Sequence, residues 1–143
     1  MARGPPNRAM IGGMKVTRIY TGDDGQSHFE ELSIPMSESP AAGLMSGVVP
    51  TDGIFFREPA GDGPSDFLDF HVAPRRQFVI HMAGRVEIET GSGEKRQFGV
   101  GDILLADDTT GQGHISRGVE GPRRQIFVAL AASVDLDRWR RSG

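Results

Sequence analysis

The chain has 143 residues, room for one domain of ordinary size and one core. Its formal net charge is −3, it contains no Cys, and Gly with Pro makes up about a fifth of the residues. These values exclude disulfide frameworks, thiolate metal sites and Cys nucleophiles, deny nucleic acid a basic track, and favour short strands and turns over long helices.

Residues 1–13 are rich in Gly, Pro and Arg without periodicity and read as a flexible arm, which leaves 14–143 as a single domain. No apolar run here or later has the length of a signal core or a membrane span, so the expectation is a cytoplasmic protein with neither membrane nor nucleic acid as partner. Two strand-like runs, 15–20 and 27–34, flank Asp23-Asp24-Gly25, the signature of a hairpin. Residues 35–53 hold three Pro and three Gly among small residues and read as a long connection or lid with at most a weak strand at its end.

Eight further segments, 54–57, 67–72, 77–82, 85–90, 96–100, 102–106, 114–117 and 124–131, look like strands separated by Gly, Pro or Asp. Val86-Glu87-Ile88-Glu89 alternates with a two-residue period, and Gly91-Ser92-Gly93 turns the chain back toward Gln97-Phe98. Only 135–141 suits a helical turn or two, a small cap with cations at its C-terminal end. No repeat of propeller or solenoid length is visible. In 67–72, Leu68, Phe70 and Val72 make one face apolar, so something must cover it.

The centre of the chain carries a more particular pattern. His71-Val72-Ala73-Pro74-Arg75-Arg76-Gln77 is followed by Gly84, by Gly101-Asp102-Ile103-Leu104-Leu105-Ala106, and by His114. This arrangement resembles a cupin. The first cupin motif reads His-x-His, three or four residues, Glu, six residues, Gly; this chain keeps the spacing with Ala73 and Gln77 in place of the second His and the Glu. The second motif opens with Gly101-Asp102, but Asp107 stands where the family has Pro, and His114 comes two residues late. The resemblance implies an all-β double-stranded β-helix, or jelly-roll barrel, over 14–143, and a homodimer. It also implies that His71, Ala73, Gln77 and His114 occupy positions that hold a divalent ion (Fe, Mn, Ni or Zn) in metal-binding members.

Ala73 offers no donor and Gln77 only a neutral carbonyl. Strand alternation puts Asp69 on the same face as His71, so Asp69, His71 and His114 form a candidate two-His, one-carboxylate set with Gln77 as an extra donor. Alternation also groups Gln77, Val79 and His81; if the chain reverses around 74–76, Asp69 opposes His81, as a dyad or as the partner of a buried imidazole. Asp107, Asp108, Thr109 and Thr110 in the widened loop 107–113 put two carboxylates and two hydroxyls beside His114, as candidate substrate contacts or acid and base, or as an Asx-type turn. Arg75 beside the motif is a candidate carboxylate clamp or a solvated turn residue. Two functional readings follow. One is a metal-dependent small-molecule enzyme, an oxygenase or isomerase acting on a polar or acidic organic compound. The other is a metal-free ligand-binding or sensing module.

Overall fold

The computed structural model describes residues 13–60 and 66–141, so all of the expected N-terminal arm except Gly13 lies outside the described residues. The strands are β1 (Gly13–Thr21), β2 (Ser27–Pro35), β3 (Ser37–Ser39), β4 (Gly43–Met45), β5 (Thr51–Arg57), β6 (Phe67–His71), β7 (Gln77–Thr90), β8 (Lys95–Phe98), β9 (Ile103–Asp107) and β10 (His114–Leu130); one short helix, α1 (Asp137–Arg141), follows. The fold is all-β, as expected. Eight of the strands form one curled sheet in the order β2-β1-β9-β7-β10-β5, with β6 added to β10 and β8 to β7. β3 and β4 make a separate small hairpin inside the stretch read as a lid.

Two long strands set the curl. Segments read separately as 77–82 and 85–90 fuse into β7, and 114–117 and 124–131 fuse into β10. These two strands pair antiparallel along most of their length, with register shifts between Gly118 and Gln125. Gly84 lies opposite that irregular stretch at φ +79°, and a Cβ there would stand 2.7 Å from the Glu120 carbonyl oxygen. Only Gly allows so close a backbone approach at that φ. Beyond the bulge, β6 pairs with the first part of β10; before it in space, β5 pairs with the last part. The sheet therefore bends into a half-barrel with one concave face.

Alternation divides the apolar residues between the two faces of the sheet. Val79, Val86, Ile88, Phe98, Leu104 and Ala106 pack together on the concave side with Ile19 and Ala73. Their neighbours Phe78 and Leu105 point the other way, into a second cluster with Val16, Leu32, Leu130, Leu136 and Trp139. There α1 acts as the expected cap: the Trp139 ring stacks on Phe78 at 6.0 Å, a contact of about 0.5–1.5 kcal/mol beyond its buried area.

Candidate functional site

β10 lies between β7 and the pair β5/β6, so its inward side chains stand in cross-strand rows. His114 is in register with His71 on β6 and Thr90 on β7; further along, Gln125 is in register with Arg57 on β5 and His81 on β7. Both rows open into one cavity of about 190 Å³, walled also by Ala73, Val79, Val86, Ile88, Leu104 and Phe127. That volume suits a ligand smaller than a drug-sized molecule, in the usual setting of apolar walls with few polar groups.

At one end the His71 and His114 rings lie against each other at a tilt of 57°, with centroids 4.5 Å apart. Nδ1 of His114 donates to Oδ2 of Asp108 at 2.6 Å, and the Ser27 hydroxyl donates to the same oxygen at 2.7 Å. Asp108 is 0% exposed. Nδ1 of His71 donates to the Asp69 carbonyl at 2.8 Å. The Asp69 carbonyl can only accept, so the His71 ring carries a hydrogen on Nδ1; the Asp108 carboxylate orients the His114 ring in the same way, which leaves Nε2 of each ring for the cavity. Burial pushes the His71 pKa below the ordinary imidazole value, partly opposed by the Asp69 carbonyl. Gly113 permits the pairing: at φ +79° it sits where a Cβ would be 2.0 Å from the His71 carbonyl oxygen. The Ala73 N–H, donating to the Asp108 carbonyl at 3.0 Å, ties the same loop down.

The other end is cationic. Arg123 is buried, and its Nε and Nη2 both donate to Oδ2 of Asp66, at 2.7 and 2.6 Å. Nη1 of Arg57 donates to Oε1 of Gln125 at 2.5 Å. Burial lowers the Arg57 pKa, and the neighbouring Arg123 charge lowers it further, with Asp66 opposing. His81 is 1% exposed, stacks on Phe98 at 5.8 Å and donates from Nδ1 to the Asp102 carbonyl at 2.9 Å. Its Nε2 is buried and has no partner among the described residues. Burial depresses the His81 pKa as well.

Of the residues singled out from the sequence, His71, Gln77, His81 and His114 meet in this cavity. Gln77 and His81 share the concave face with Val79 as alternation required. The Gln77 carbonyl oxygen is already taken by Nη1 of Arg75, at 2.7 Å. Arg75 itself lies 4.4 Å over the Phe55 ring and does not line the cavity.

Asp69 corrects the expectation of an inward carboxylate. Its side chain is exposed and accepts from the N–H of Phe70, and only its backbone carbonyl reaches His71. Nor does Asp69 oppose His81, because β6 pairs with β10 rather than with β7. Asp107 also lies outside the cavity, accepting from Nε and Nη2 of Arg18 at 3.0 and 2.7 Å. Thr109 and Thr110 are exposed, and the Thr110 carbonyl accepts from the Thr21 hydroxyl, so the loop is held by turn chemistry. Reading the sequence named Asp108 only as one of two carboxylates of the loop beside His114, and missed Ser27, Arg57, Arg123 and Gln125. For Asp108 a signal existed, a carboxylate six positions before His114; for the others only strand register brings them in.

The divalent ion implied by the cupin resemblance does not fit these residues. Two imidazoles are present, the Gln77 carbonyl is engaged, and no cluster of three His, Asp or Glu side chains able to hold an ion occurs among the described residues. Two guanidinium groups line the same cavity, which disfavours a further cation there.

No family model and no curated protein matches the chain. Among solved structures it is similar to a protein assigned to ethanolamine utilization, protein Q, from Salmonella typhimurium LT2, with 14% sequence identity, 85% of this chain and 98% of that chain covered, and a TM-score of 0.42. Among the described residues no helix is long and apolar enough to cross a membrane.

Proposed function

We propose that the protein is a small-molecule-binding module that works without a resident metal and seats its guest against Nε2 of His71 and Nε2 of His114. One observation carries this reading: each ring has its Nδ1–H committed to an acceptor outside the cavity, the Asp69 carbonyl or the buried Asp108 carboxylate. Nε2 of each ring therefore remains for a guest in a fixed position, in a cavity whose other walls are largely apolar. The Asp108 bond is charge-assisted and holds the His114 ring in one orientation before any ligand arrives.

The test is thermal denaturation of the full chain against a panel of small polar metabolites, with element analysis of the same preparation. The expected result is a guest that raises Tm for the wild type and not for His71→Ala or His114→Ala, in protein holding no stoichiometric transition metal. About one equivalent of Fe, Mn, Ni or Zn, lost with His71→Ala, would replace this reading with the metal-dependent one.

Self-association belongs to the same proposal. β5 and β6 lie along one edge of β10, and Ile54, Phe55, Phe67, Leu68 and Phe70 are exposed there, with Phe56 81% exposed. Edge strands with so much apolar surface need a cover, and a second copy of this chain is the proposed one.

A further inference from the structure

We propose that the cationic end of the cavity is an anion subsite and that the guest is a small organic acid, its carboxylate held by Arg57. This inference rests on the pocket reading above and narrows its ligand class.

Three observations support it. First, the two arginines of the cavity are not equivalent. Arg123 is neutralised by Asp66, through two bonds to one carboxylate oxygen. Arg57 has no carboxylate within ion-pair distance among the described residues; its hydrogen bond goes to the neutral amide of Gln125. A half-buried guanidinium beside a second guanidinium is costly until an anion meets it, and its planar fork suits a carboxylate.

Second, among the described residues the cavity wall contains no acidic side chain, while Arg57, Arg123 and three imidazoles line it. The carboxylates bonded to lining residues, Asp66 and Asp108, are turned to Arg123 and His114. Arg57 is therefore the lining charge that meets no counter-ion at bonding distance among the described residues, and low-dielectric walls strengthen its pull on an anion.

Third, the row that carries Arg57 is unfinished at its far end. Arg57, Gln125 and His81 stand in register across β5, β10 and β7, and Nε2 of His81 is buried without a partner among the described residues. Buried polar atoms are seldom left so, and a guest with a donor group completes this one. Carboxylate at Arg57 and donor at the imidazoles describe one compact acid.

The test follows the side-chain nitrogen signals of His71, His81 and His114 by NMR while the full chain is titrated with acetate, glycolate and benzoate, and separately with acetamide, glycolamide and benzamide. The expected result is a saturable shift with at least one acid and none with its amide. Added sodium chloride should weaken that binding, and Arg57→Met should weaken it about tenfold or more. If Arg57→Met does not fold, Arg57→Lys serves: it keeps the charge, loses the fork, and should still bind measurably more weakly. Amides that bind as well as their acids, or arginine variants that bind the acid unchanged, overturn the inference and leave the pocket reading standing. No shift of any of the three rings with either series overturns both.

Discussion

Oδ2 of Asp108 lies 2.6 Å from Nδ1 of His114, and Asp108 is wholly buried. The second carboxylate oxygen has no partner among the described residues, so the Asp108 charge is held by His114 and Ser27. This bond fixes which nitrogen of His114 meets the cavity, and the candidate site depends on it.

Asp108→Asn should therefore damage the site more than its size change suggests. The amide can present a donor to Nδ1, moving the ring hydrogen to Nε2 and turning the cavity-facing acceptor into a donor. We expect a stability loss of about 1.5–3 kcal/mol, read by chemical denaturation, together with a switched His114 tautomer in nitrogen NMR. Ser27→Ala, which leaves the His114 bond in place, should cost about 1 kcal/mol and leave the tautomer unchanged.

Gly113→Ala separates backbone strain from crowding when it is compared with Gly93→Ala. Both glycines have positive φ, +79° and +94°, but a Cβ at Gly93 meets nothing within 4 Å, whereas at Gly113 it lands on the His71 carbonyl. The Gly93 variant should cost about 1–2 kcal/mol from conformation alone. The Gly113 variant should cost more and move His71 away from His114, abolishing ligand-induced stabilisation.

Acid sensitivity follows from two depressed imidazoles. His71 and His81 titrate below the ordinary 6.5 in the folded protein, burial being the main cause for each. As the pH falls through 6.5 the unfolded chain takes up protons on these rings that the folded chain refuses, so unfolding becomes easier. Their contribution is complete above the unfolded value and is lost progressively as the pH drops toward the lower folded values. Denaturation midpoints measured across this window should fall with acidification. His81→Phe keeps the ring stack on Phe98, gives up the bond to Asp102, and should flatten the slope at a cost of about 1 kcal/mol near neutrality.

The apolar edge makes a prediction about size. Sedimentation of the purified chain should report twice its 15.5 kDa, and Phe56→Asp should return it to the monomer. A wild-type monomer at high concentration would remove self-association from the account.

How much of this was legible in the sequence differs between the two ends of the cavity. His71 and His114 could be paired because the motif spacing carries both to the mouth of a barrel. Gln77, Val79 and His81 could be placed on one face because strand alternation is a local rule. Asp69 does not follow His71 inward because the β6–β10 register shifts between His71 and Leu68, both of which line the cavity, and this break in alternation, which no local rule shows, leaves the carboxylate exposed. Arg57, Gln125 and Arg123 were invisible for the same reason. They meet through register between strands far apart in the chain, and Arg123 also depends on the bulged stretch of β10. Residues 35–53 read as a long connection or lid with at most a weak strand at its end; the start of β5 is that strand, whereas the β3–β4 hairpin had no sequence signal strong enough to place it.

The most direct test of the central claim is the nitrogen NMR spectrum of the metal-free protein at neutral pH, recorded with and without a guest identified by thermal shift. The account predicts that His71 and His114 both carry their proton on Nδ1 and that the guest moves the Nε2 signals of both rings together. A proton on Nε2 of either ring in the free protein, or Nε2 signals that stay in place while the guest binds, would contradict it.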